Sequence, residues 1–150
     1  MKRIFTGIAA LVFCLSICAS TALAAAPAQT TEQIEYYEDG SFLTITTTLY
    51  PTISRASERY AEKEYKYTDN TGDAAYTYTL RGWFTYDLIS SEAVRAAAVI
   101  HVHKSGWTVS SHSEYCSGST AYGNVTFKGP LFVTRSINAT LTCDRYGNID

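Results

Sequence analysis

The stretch Ala74-Ala75-Tyr76-Thr77-Tyr78-Thr79-Leu80-Arg81-Gly82-Trp83-Phe84-Thr85-Tyr86-Asp87 decides how this chain folds. Tyr76, Tyr78, Leu80, Gly82, Phe84 and Tyr86 share one parity, while Thr77, Thr79, Arg81 and Thr85 share the other. Side chains two apart lie on one face of a strand, so this is a half-buried β-strand whose aromatic face belongs to a core. Trp83 is the large apolar exception on the polar face, which makes it a candidate contact residue. Gly82, in mid-strand, marks a bulge or a closely packed neighbour.

The alternation continues outward. Residues 61–67 put Ala61, Lys63, Tyr65 and Tyr67 on one side and Glu62, Glu64 and Lys66 on the other, and Glu58, Glu62 and Glu64 with Lys63 and Lys66 read as a solvated charged face. Residues 33–37 and 42–50 flank Glu38-Asp39-Gly40-Ser41, an Asp-Gly hairpin signal. Residues 51–58 read as a loop or a short helix capped by Ser54. Asp69-Asn70-Thr71-Gly72 turns the chain.

Downstream, residues 94–103 form a strand and Lys104-Ser105-Gly106 a three-residue hairpin loop with its glycine left-handed, so that residues 107–115 return antiparallel. In that register His103 faces Trp107 and Val94 faces Cys116. Residues 120–127, a turn at Lys128-Gly129-Pro130 and residues 131–143 complete about eight strands. Short links without helical periodicity predict an all-β, antiparallel β-sandwich, immunoglobulin-like, with a small barrel as the alternative.

At the amino end, Lys2 and Arg3 precede an uncharged apolar run that ends in Ala22-Leu23-Ala24, a small-x-small cleavage pattern. The run is too short to span a bilayer, which takes about 20 apolar residues. Residues 1–24 therefore read as a signal peptide, residues 25–32 as a flexible leader and residues 33–150 as a single domain. Leu15-Ser16-Ile17-Cys18 loosely resembles a lipidation box, but Ile17 stands where a small residue belongs. The expected localisation is secreted, extracellular, with no membrane span in the mature chain.

Cleavage removes two of twelve basic residues and none of the fourteen acidic ones, moving the formal net charge from -2 to -4. With its lysines and arginines scattered, the chain offers no footprint for a phosphate backbone, which argues against nucleic acid as partner. Cleavage also removes Cys14 and Cys18, leaving Cys116 and Cys143. Two thiols in an oxidising space pair as a rule, so a Cys116 to Cys143 disulfide is expected.

Four stretches carry a resemblance. They are residues 76–87, quoted above, Ser105-Gly106-Trp107-Thr108-Val109-Ser110-Ser111, Thr120-Ala121-Tyr122-Gly123-Asn124-Val125-Thr126-Phe127, and Ala139-Thr140-Leu141-Thr142-Cys143-Asp144 with Gly147-Asn148. Together they span most of residues 57–150, and the chain resembles a family of small secreted bacterial proteins of unknown function. Members that look like this one carry a Cys shortly after the pair matching Ser90-Ser91, and a second matching Cys143. Val94 stands at the first position here, and the resemblance implies that Cys116, its neighbour in the register above, takes over the bridge.

No catalytic constellation emerges. His101 and His103 are two apart on one strand face, a spacing that presents two imidazoles to a metal, but a third ligand is missing, so they are kept only as candidate contact residues with Trp83. A Gly-x-Ser-x-Gly elbow is absent and both cysteines are expected to be oxidised. The serines of residues 105–119 read as hairpin and edge chemistry. Asn124-Val125-Thr126 and Asn138-Ala139-Thr140 match glycosylation sequons without a functional reading. The sequence thus predicts no enzyme, no cofactor and no metal. It predicts a binding or interaction module whose partner is a protein or glycan at the cell surface, with a small secreted effector (toxin, inhibitor or antimicrobial protein) as the alternative.

Overall fold

The computed structural model describes residues 28–51 and 57–150. The signal and most of the proposed 51–58 loop lie outside the described residues. Eight strands follow one another: β1 Gln29–Tyr36, β2 Phe42–Tyr50, β3 Glu58–Thr68, β4 Ala74–Tyr86, β5 Ser91–Val102, β6 Thr108–Ser117, β7 Thr120–Lys128 and β8 Thr134–Thr142. They form an all-β, sandwich-like pair of antiparallel sheets, β1-β2-β3-β4-β5 and β6-β7-β8. Each sheet is a meander in chain order. Immunoglobulin topology instead interleaves strands between sheets by Greek-key crossovers, so the expected immunoglobulin-like connectivity is not the arrangement observed.

The inward parity of β4 holds the core as its alternation dictates: Tyr76, Tyr78, Leu80 and Phe84 are at most 1 % exposed. Opposite them lie Ala121, Val125 and Phe127 of β7 and Ile137, Ala139 and Leu141 of β8. Tyr76 and Phe127 stack at 3.7 Å between centroids across the sheets. Small residues make room for the rings. A Cβ on Gly123 would stand 2.1 Å from the Tyr78 hydroxyl oxygen and 2.9 Å from Leu80. The Tyr78 hydroxyl thereby passes over β7 and donates to Glu114 Oε1 at 3.3 Å. At Gly82, the Cβ would meet the Phe84 ring at 2.6 Å, the close neighbour the sequence foresees.

Three sequence expectations fail for identifiable reasons. Gln29 to Glu32, assigned to the leader, belong to β1, where they pair with Leu49 to Thr46. An edge strand needs only backbone partners, so its side chains carry no burial signal, and all eight are exposed. Lys104-Ser105-Gly106 is a corner between sheets rather than a hairpin loop within one, although Gly106 is left-handed as expected. The cause is Trp107, which is buried between Tyr67 and Tyr76 at 5.3 and 5.1 Å and draws the chain into the second layer. Val94 consequently does not face Cys116; it stands at the break in the β4 to β5 register as an exposed extra residue.

The predicted disulfide is the third. Cys116 and Cys143 are both free thiols. Cys116 pairs with Ala121, and Ala121 with Leu141, so β7 lies between the two cysteines. Two strand spacings amount to about 10 Å, whereas a bridge closes only when the Cα atoms come within about 7 Å.

Candidate functional site

Trp83, His101 and His103 all lie on the outer face of the five-stranded sheet, yet they do not meet. Thr77, opposite His101, is six residues from Trp83 along β4, or about 20 Å. His103 Nε2 lies 2.9 Å from Thr77 Oγ1, and the two exposed imidazoles stack at 6.2 Å. No group of three or more metal-binding side chains occurs among the described residues.

Trp83 is half-buried and its ring is occupied on both sides. Tyr50, Tyr60, Trp83 and Arg95 are successive cross-strand partners over β2, β3, β4 and β5. Centroids are 5.0 Å apart for Tyr50 and Tyr60 and 4.9 Å for Tyr60 and Trp83, and the Arg95 guanidinium sits 4.6 Å from the Trp83 centroid. The rings are tilted by 31° and 33° at these separations, and each contact covers part of a ring, so the ladder spends much of its ring surface internally. In the next row Glu62 accepts from Tyr50 at 2.9 Å and from Tyr60, and its Oε1 lies 2.8 Å from Arg81 Nε. Burial pushes the Glu62 carboxyl up, but the two phenols and Arg81 outweigh it and hold its pKa below the usual carboxylate range. This corrects two readings: Trp83 is a rung of a ladder, and Glu62 belongs to a paired network instead of a free solvated face. Lys63 lies on the inner parity and donates to the Thr140 carbonyl at 3.4 Å, at the free edge of β8.

The outer face of the three-stranded sheet is built differently, and sequence reasoning missed it. Inward parity on β7 and β8 is fully spent on the core, which leaves outward rows in register. Ser117, Thr120 and Thr142 form one row; Tyr115, Tyr122 and Thr140 the next; then Ser113, Asn124 and Asn138; then Ser111, Thr126 and Ser136. Every outward side chain of these rows carries a hydroxyl or an amide. Lys128, at the far end opposite Thr108 and Thr134, is the one charge on this face among the described residues. Tyr115 and Tyr122 stack in the middle at 4.9 Å with rings 8° from parallel, and Tyr115 is 50 % exposed, so its second ring face is open at the edge strand. Hydroxyls bridge β7 to β8 at Thr120 and Thr142 (3.0 Å) and at Thr126 and Ser136 (3.1 Å). Each hydroxyl and amide can donate as well as accept, so most of this face's bonding capacity remains turned to solvent.

Where the larger sheet outreaches the smaller, a groove of about 370 Å³ is lined by Thr31, Gln33, Ile45, Thr47, Lys63 and Asp150. The thiols are poorly suited to nucleophilic work. Burial raises the Cys116 pKa, and burial with Asp144 nearby raises that of Cys143, the opposite of an activated thiolate. No helix of the described residues is long and apolar enough to cross a membrane. Comparison with protein-family models, with curated proteins and with solved structures finds no match.

Proposed function

We propose that the protein is a secreted, non-catalytic binding module whose contact surface is the outer face of β6, β7 and β8, and that its ligand is a neutral polysaccharide. The observation that carries this reading is the composition of that face: hydroxyls, amides and two tyrosines in aligned rows, with a charge among the described residues only at Lys128. A neutral sugar polymer offers matching hydroxyl donors and acceptors and apolar ring faces for Tyr115, without a buried charge to desolvate. An acidic polymer would call for several lysines or arginines. A protein partner would call for an apolar centre, and these outward rows hold no aliphatic side chain. Secretion rests on residues 1–24, and the resemblance to small secreted proteins agrees with it.

Electrophoresis of the processed protein through gels containing neutral or acidic polysaccharides tests this. Retardation by a neutral polymer is expected, with affinity falling about tenfold in Tyr115→Ala, in line with loss of a stacking contact of about 1.4 kcal/mol. Free migration in every neutral gel, or equal retardation of Tyr115→Ala, contradicts the reading.

A further inference from the structure

We propose that the turn joining β7 and β8 is a lipid anchor, in which Leu131 and Phe132 enter a bilayer surface and Lys128 meets its anionic headgroups. The proposal is independent of the polysaccharide reading, since Leu131 and Phe132 lie at the end of the sandwich and only Lys128 borders the outer face of β6 to β8. Leu131 is 93 % exposed and Phe132 100 %. Both hold left-handed backbone, with φ of 55° and 63°, a conformation that a Cβ disfavours. Two large apolar side chains thus stand in water on a strained backbone, where they contribute nothing to the core.

The turn is a fixed frame. The Gly129 amide donates to the Val133 carbonyl at 2.7 Å, and the Val133 amide donates to the Pro130 carbonyl at 3.2 Å. The Trp107 indole packs beneath, so close to Gly129 that a Cβ there would stand 2.8 Å from the ring. The side chains are therefore projected by a braced support anchored in the core.

The charges around the turn select the surface it fits. Lys128-Gly129-Pro130-Leu131-Phe132-Val133-Thr134-Arg135 places Lys128 beside the apolar knob, while Arg135 is spent on Asp39 and lies 4.3 Å over the Tyr37 ring. Lys128 is exposed and has no ion-pair partner among the described residues. Of the acids in the loops at this end, Asp39 is tied to Arg135 at 3.5 Å, and Asp69 and Asp73 share the single Lys104, so Lys128 is the cation there that no acid holds. The opposite end supplies an internal control. Leu88 and Ile89 are 65 % and 84 % exposed, and Leu88 is also left-handed, but Asp87 and Glu92 flank them. An anionic surface favours the first knob over the second. A fully exposed two-residue projection suits insertion into a bilayer boundary, whereas a stable protein interface takes a broader patch of about 800 Å² per partner.

Co-sedimentation of the processed protein with vesicles of phosphatidylcholine, alone or mixed equally with phosphatidylglycerol, tests the proposal. Binding to the mixed vesicles is expected, about tenfold weaker or worse in Leu131→Asn/Phe132→Asn, because two buried apolar side chains are lost. Asn tolerates left-handed backbone, so this variant keeps the fold, and its thermal melt verifies that. Lys128→Gln should weaken binding to mixed vesicles only, and Leu88→Asn/Ile89→Asn should leave it unchanged. No sedimentation with either vesicle, or equal binding by the Leu131/Phe132 variant, overturns the proposal. So does a dimer that this variant dissolves, which would seat the knob in a second copy of the chain.

Discussion

The two outer faces of the sandwich are made of the same kind of element, yet they use their polar groups in opposite ways. On the five-stranded sheet, Tyr50, Tyr60, Trp83 and Arg95 pack against one another in one row while Glu62 gathers both phenols and Arg81 beside it. On the three-stranded sheet, the rows of Ser, Thr, Asn and Tyr include two cross-strand hydroxyl bridges and otherwise face water. Chemical richness is thus a poor guide to a contact surface. What counts is bonding capacity left unspent, and by that measure the bland face outranks the aromatic one.

The comparison can be broken most severely from beneath. Gly123→Ala forces a methyl group against the Tyr78 hydroxyl and Leu80, both in the core, so β7 must lift off β4. A loss of about 3 kcal/mol, near the upper end for overpacking, is expected in chemical denaturation, together with lost polysaccharide retardation. Trp83→Ala separates the faces more selectively. It removes a ring that touches Tyr60 and Arg95 from a half-buried site, so stability should fall by about 1–2 kcal/mol while retardation stays unchanged.

Acid sharpens the contrast with a smaller effect. Glu62 and the turn aspartates Asp39, Asp69, Asp87 and Asp144 all have folded pKa values below their ordinary ones. For Asp39 and Asp87 the leading cause is a bond from a serine two or three residues on, for Asp69 it is Lys104, and for Asp144 it is Asn148. A depressed folded pKa gives stability that is present above the unfolded carboxylate range and is lost as pH falls through the folded value. Melting temperature should therefore drop below about pH 4, whereas retardation stays constant from about pH 5 to 8, because the β6 to β8 rows contain no carboxylate.

The fold was legible where burial writes a period of two into the chain. Residues 74–87 announced β4 and its inner face because one parity must be apolar to meet the second sheet. β1 was half missed, since an edge strand held by backbone bonds leaves no such mark. The pairing of β5 with β6 was misread because a left-handed glycine serves a corner as well as a hairpin, and the deciding residue, Trp107, acts through three-dimensional burial. The same limit explains the cysteines. Their positions became incompatible with a bridge only once β7 was seen to run between them. The candidate face had a signal that could have been found: the outward parity of β6, β7 and β8 holds Ser, Thr, Asn and Tyr almost exclusively. It was passed over because polar outward residues are the default of any half-buried strand, and only register shows that they align in rows.

Titrating the isotope-labelled, processed protein with a soluble neutral oligosaccharide from the polymer that retards it, and following each backbone amide by magnetic resonance, tests the central claim most directly. The shifts should cluster at Ser113, Tyr115, Tyr122, Asn124, Asn138 and Thr140. Shifts that gather instead around Tyr60, Trp83 and Arg95 would contradict it.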